Sequence, residues 1–144
     1  MIHLDIKRIA VSTIVAGTLI LVVSMVVSTV TQVFLKYNVL TLPGMRSADD
    51  PVSILFFLQP YVVALGLAIL YNFAKNNFTR TMMRNGVVLG LLGWILYGIP
   101  SAFIVYSSMD YPIGFTVNSV IGPLIYMLGA GITITGLSSV TLVD

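Results

Sequence analysis

The chain has 144 residues, 58% hydrophobic and only 8% charged, and its mean hydropathy of +1.02 excludes a soluble globular domain and predicts an integral membrane protein. Its formal charge of +2 comes from seven basic residues dispersed between apolar runs, which excludes a basic face for nucleic acid. Cysteine is absent, which removes disulfides, thiolate chemistry and cysteine metal sites.

Lys7 and Arg8 precede an uncharged run over 9–35. That run exceeds both the roughly 20 residues of a spanning helix and the roughly 7 to 15 of a signal-peptide core, so a retained first span is expected. Thr13, Gly17, Ser24, Ser28 and Thr31 share one of its faces, a small and weakly polar stripe suited to helix contact. The connection over 36–50 carries a Pro43–Gly44 turn signal, Arg46, Asp49 and Asp50. Asp50–Pro51 then reads as a helix start, because a carboxylate caps free amides and proline fits the first helical position. The second span covers about 51–74 and holds Gln59, Pro60 and Gly66.

Lys75, Arg80 and Arg84 mark a basic turn. Asn85 is expected to cap a third span over about 86–106, with Gly86 and Gly90 at the four-residue spacing of close helix pairs. A short link with Asp110 and Pro112 leads to the fourth span, about 116–140. This last run organises the chain: Gly122, Gly129 and Gly136 recur every seven residues, fall on one helical side with Asn118 and Thr133, and leave a shallow groove for another helix.

The reading is therefore an all-α membrane protein, one domain over 1–144 with four spans. Lys7 and Arg8 at the N-terminus and the three basic residues of the middle turn outnumber Lys36 and Arg46 on the other side, which puts both termini in the cytoplasm and makes this a multi-pass protein of the cell membrane. A repeat of two helix pairs is a further expectation: Pro60 precedes Gly66, and Pro123 precedes Gly129, by the same interval, although Pro51–Pro60 and Pro112–Pro123 differ in spacing.

Catalytic chemistry is sparse. The acidic residues are all aspartates near span ends or termini, and the single histidine, His3, reads as a solvated terminal residue. No catalytic residue, metal site or cofactor is assigned, and the chain is not expected to be an enzyme. Asp49, Asp50 and Asp110 read as caps and solvated surface.

Pro60, Pro100 and Pro123 fall, at 1.5 Å per residue, about 9 to 14 Å inside the outer boundary, where each removes a backbone hydrogen bond. Gln59, Tyr97, Ser101, Asn118 and Tyr126 lie at similar depth and must find polar partners, so they are the candidate lining of an outward-facing polar cavity. Tyr37, Tyr61, Tyr71, Tyr106 and Tyr111 read as interfacial belts, and the Trp94 indole requires an acceptor.

Two functions compete. In the first, the protein is a non-catalytic accessory or assembly subunit packing against other membrane proteins through Gly17, Ser24, Gly86, Gly90, Gly122, Gly129 and Gly136. In the second, it is a homo-oligomeric transporter or channel for a neutral or amphiphilic solute, using the polar cavity. Expected partners are the bilayer and other membrane subunits or further copies of the chain, with no nucleic acid.

Overall fold

The computed structural model describes residues 5–47, 49–78 and 81–140; His3 and Arg80 lie outside them. Among the described residues the chain is all-helical, and four helices are long and apolar enough to cross a membrane.

Helix α1 spans Ile6–Phe34. Asp5 caps it: one carboxylate oxygen accepts from the Arg8 amide at 3.2 Å and the other lies 3.3 Å from Arg8 Nε. The helix ends where Lys36 turns left-handed, with φ 52°. The Leu35 amide then reaches the Thr31 carbonyl at 2.8 Å and the Tyr37 amide the Gln32 carbonyl at 3.2 Å, satisfying acceptors that the last turn would otherwise leave bare. In the connection that follows, Gly44 has φ 81° and Met45 donates to the Leu42 carbonyl, so the Pro43–Gly44 signal forms a turn that needs glycine at its third position. Tyr111 donates to the Pro43 carbonyl at 3.1 Å and ties this turn to the other connection at the same end.

Asp50 starts the second span. Its carboxylate accepts from the Val52 amide at 2.9 Å and from Arg46 at 2.7 Å. These two bonds, the amide's first, hold its carboxyl below the usual carboxylate range. A 3-10 turn, Pro51–Ser53, leads into α2, Ile54–Ala74.

The third span has three parts: α3, Met82–Gly93; a π-helical turn, Trp94–Gly98; and α4, Ile99–Ser108. It begins at Met82 rather than at Gly86. Asn85, expected as its cap, lies inside the helix instead: its amide nitrogen bonds the Thr81 carbonyl, and its side chain donates to the Phe78 carbonyl at 3.3 Å, pinning the preceding loop. In the π turn the Ile99 amide reaches back to the Trp94 carbonyl. The wider turn stands immediately before Pro100, which has no N–H to continue the regular ladder. The last helix, α5, covers Ile113–Val140 with Pro123 inside it.

Helix α5 is the hub. It packs along α1 on one side and along α3 on another, α1 also packs along α2, and α2 scarcely touches α3. Accordingly 39% of the most apolar window of α5 is buried, against 22% for α1 and for α2. The shared core joins Ala16 and Ile20 of α1, Ala64 and Leu67 of α2, Leu89 of α3 and Met127 of α5. Val22, Phe34, Phe56, Val62, Leu96 and Phe103 point outward, as apolar side chains do when hydrocarbon surrounds the bundle. Of the tyrosines read as belts, Tyr106 is exposed while Tyr37 is buried, its hydroxyl 3.2 Å from that of Thr31.

Candidate functional site

Lipid is as apolar as leucine, so association of helices in a membrane rests on close packing and on hydrogen bonds between them. The glycines show where the packing is closest. A methyl built on Gly86 would lie 2.6 Å from the Ile132 Cα, and one on Gly90 would lie 2.5 Å from the Met127 carbonyl oxygen. One on Gly131 would strike the Gly86 carbonyl oxygen and lie 2.7 Å from the Gly90 nitrogen. Along this seam α3 and α5 therefore meet backbone to backbone, with no room for a side chain. Further along, Gly98 admits the Trp94 ring beside Pro123, and the Trp94 indole donates to the Val120 carbonyl of α5 at 3.0 Å.

The seven-residue series on α5 occupies different surroundings. Gly122 faces Asn118 and Val27, Gly129 faces Leu19 at 3.0 Å, and Gly136 faces Met82 at 3.4 Å. Apart from Asn118, which belongs to α5 itself, these neighbours are side chains of α1 and α3, at ordinary or slightly tight contact. Gly17 of α1 lies against Tyr61 of α2, whose Cδ1 a methyl would meet at 2.5 Å. Ser24 bonds its own helix at the Leu21 carbonyl.

The polar layer resolves into two groups. Gln59 of α2 donates to the Tyr97 hydroxyl in the π turn, and Ser101 donates to the Tyr97 carbonyl at 2.7 Å. Tyr126 is buried in the core against which Tyr97 packs. Asn118 is held elsewhere, between α5 and α1: its side-chain oxygen accepts from Thr31 at 3.0 Å, and Thr31 in turn neighbours Tyr37. So Gln59 and Tyr97 come together across helices, Ser101 bonds the backbone of its own span, and Asn118 sits at a different seam. Two hollows lie away from all five residues. One is a shallow dimple on the outward face of α1, lined by Met25, Val26, Thr29 and Val30. The other is at the end of the bundle where α1 begins and α5 ends.

Several contributors were not singled out from the sequence as partners of these contacts. Thr31 stood only in a general stripe, yet it is the donor to Asn118. Gly131 lies two residues beyond Gly129, hence about 200° around the helix, and faces α3 while Gly129 faces α1. The pair of small residues on opposite sides of one turn is the signal of a helix packed on two flanks. Thr135 also bridges, its hydroxyl 3.2 Å from the Met82 carbonyl.

Comparison with family models, curated proteins and solved structures finds no match for this chain.

Proposed function

We propose that this protein is a non-catalytic subunit of a membrane assembly, lying in the cell membrane with both termini cytoplasmic and offering one helix face to a spanning helix of another chain. The tight glycines at 86, 90 and 131 are consumed inside the chain, which leaves Gly66 of α2 as the span glycine open to a partner. The observation that carries this reading is Gly66. It sits in the middle of α2, and a methyl built on it would meet nothing within 4 Å. A glycine there costs about 0.5 to 1 kcal/mol relative to alanine, with no return from contacts within the chain. Val62 and Phe73, exposed on the same stripe, extend the face along the helix. The deep polar side chains also favour a structural role, because Gln59, Thr31 and Trp94 each join one helix to another.

Gentle extraction followed by native mass measurement tests this. The expected result is co-purification with a different membrane chain, lost in Gly66→Leu while the isolated protein melts no lower than the parent. Recovery of the chain with lipid alone, or indifference of the complex to Gly66→Leu, contradicts it.

The second reading, a homo-oligomeric transporter or channel for a neutral or amphiphilic solute, is favoured by the Gln59–Tyr97 pair at the sparsely packed seam between α2 and the third span. It predicts masses at multiples of the single chain and solute flux into vesicles that Gln59→Leu reduces.

A further inference from the structure

The first turns of α1, the last turns of α2 with Lys75 just beyond it, and the last turns of α5 enclose a hollow lined by Arg8, Ser12, Tyr71, Asn72, Lys75 and Ser138, over an apolar floor that includes Ala68 and Ile134. Asn72 is only 6% exposed. Its side-chain oxygen accepts from Lys75 Nζ at 3.5 Å, the orientation that suits an ammonium donor, which cannot donate to an amide nitrogen. Among the described residues Asn72 Nδ2 then has no acceptor, and Arg8 Nε, ion-paired with Asp5 at 3.3 Å, makes no hydrogen bond. Buried donors left unmade are destabilising, and more so when charged. Among the described residues, Arg8 and Lys75 are the cations lining this hollow, and the Asp5 carboxylate pairs with Arg8. The surplus is a positive charge and N–H donors in need of an acceptor.

We infer that this hollow takes a phosphate oxygen of an anionic phospholipid headgroup. The enclosed part is about 10 Å³, enough for a single oxygen-sized group. One phosphate oxygen enters between Asn72 Nδ2 and Arg8 Nε, and the remaining oxygens stay at the mouth within reach of Lys75, which is exposed. Phosphate suits the lining because it is a pure acceptor carrying several lone pairs, whereas these groups are chiefly donors. A lipid is the favoured source because the hollow opens where the spans end and the floor is apolar, at the depth of the headgroup phosphates; basic pockets between spanning helices bind anionic headgroups there. This inference does not depend on the subunit reading.

The test uses the full chain, delipidated in neutral detergent and offered phosphatidylglycerol or phosphatidylcholine in mixed micelles, with retained lipid counted by native mass measurement. The expected result is selective retention of phosphatidylglycerol, weakened about fivefold by Lys75→Gln and by Arg8→Gln, the scale of one basic residue at an anionic surface. Arg84→Gln removes the same charge from the same end without touching the hollow, and should leave retention unchanged. Asn72→Leu removes the orphan donor: the lipid-free protein should melt no lower than the parent, yet lose its selectivity. Since Lys75 is exposed, its variant remains informative even if those at the buried positions fail to fold. Equal retention of the two lipids, or equal loss with Arg84→Gln and Lys75→Gln, overturns the proposal. Inorganic phosphate that binds the delipidated chain and abolishes lipid selectivity only in the parent protein supports the shared chemistry. Inorganic phosphate that binds while phosphatidylglycerol does not overturns the assignment to lipid.

Discussion

The two flanks of the third span are built on opposite principles. Against α5, Gly86 and Gly90 bring backbone to backbone with Gly131, Ile132 and Met127. Against α2 there is little more than a Gln59–Tyr97 hydrogen bond and Leu67 beside Gly93. In a solvent that does not drive apolar surfaces together, the first arrangement gains dispersion contacts over many atoms, while the second depends on one polar pair. The lesson is that glycine in a spanning helix means different things at different positions: at 131 it is a steric requirement, and at 66 it is an open face.

Substitutions that reverse these conditions should break the contrast in a graded way. Gly131→Ala places a methyl against the Gly86 carbonyl, where only movement of a helix can make room. Overpacking of this kind costs about 1 to 3 kcal/mol even where side chains can yield, so a loss of about 3 kcal/mol or more is expected in thermal or denaturant unfolding of the detergent-solubilised protein. Gln59→Leu removes the polar tie across the open seam. Hydrogen bonds between spanning helices average about 0.6 kcal/mol and reach about 1.7, so the loss in the same unfolding experiment should fall in that range, well below that of Gly131→Ala.

Gly66→Ala should act in the other direction. With nothing near the added methyl, the isolated chain should gain about 0.5 to 1 kcal/mol from helix propensity. A loss there would mean that α2 packs more tightly than the open-seam description allows.

The smallest effect concerns how α2 is held at its start. The Asp50 carboxyl is held below its ordinary value of 3.8 by the Val52 amide and by Arg46. A depressed folded-state value means that its contribution is fully present above about pH 4, then fades as acidification passes through the folded-state value. Protease cleavage of the 36–50 connection should therefore be flat from neutral pH to about 5 and rise only under stronger acid, and Asp50→Asn should flatten that rise.

Much of this architecture could be read in the sequence because charge exclusion is a strong physical filter. Runs without Lys, Arg, Asp or Glu marked the four helices, and Asp50–Pro51 marked a start that the carboxylate does cap. The third helix was harder. Met82, Met83 and Arg84 carry long side chains compatible with a helix emerging from the membrane, so composition put the boundary at the membrane surface and not at the helix terminus. Contacts between helices were harder still. Periodicity on one helix identifies a face but not its neighbour, and a hub such as α5 uses several faces. That is why the series 122, 129 and 136 was visible while Gly131, on the flank toward α3, was not. The same limit applies to the polar layer: depth along each span could be counted, but the rotation that pairs Gln59 with Tyr97 and Asn118 with Thr31 could not.

The pairing of α3 with α5 is the claim on which the rest depends, and the absence of native cysteine makes it directly measurable. Ser139 Oγ lies 3.6 Å from Met82 Sδ, so the double substitution Met82→Cys with Ser139→Cys, treated in bilayers with a short thiol-reactive linker, should give a cross-link within one chain at the monomer mass. No cross-link, or one formed only between chains, would contradict the account.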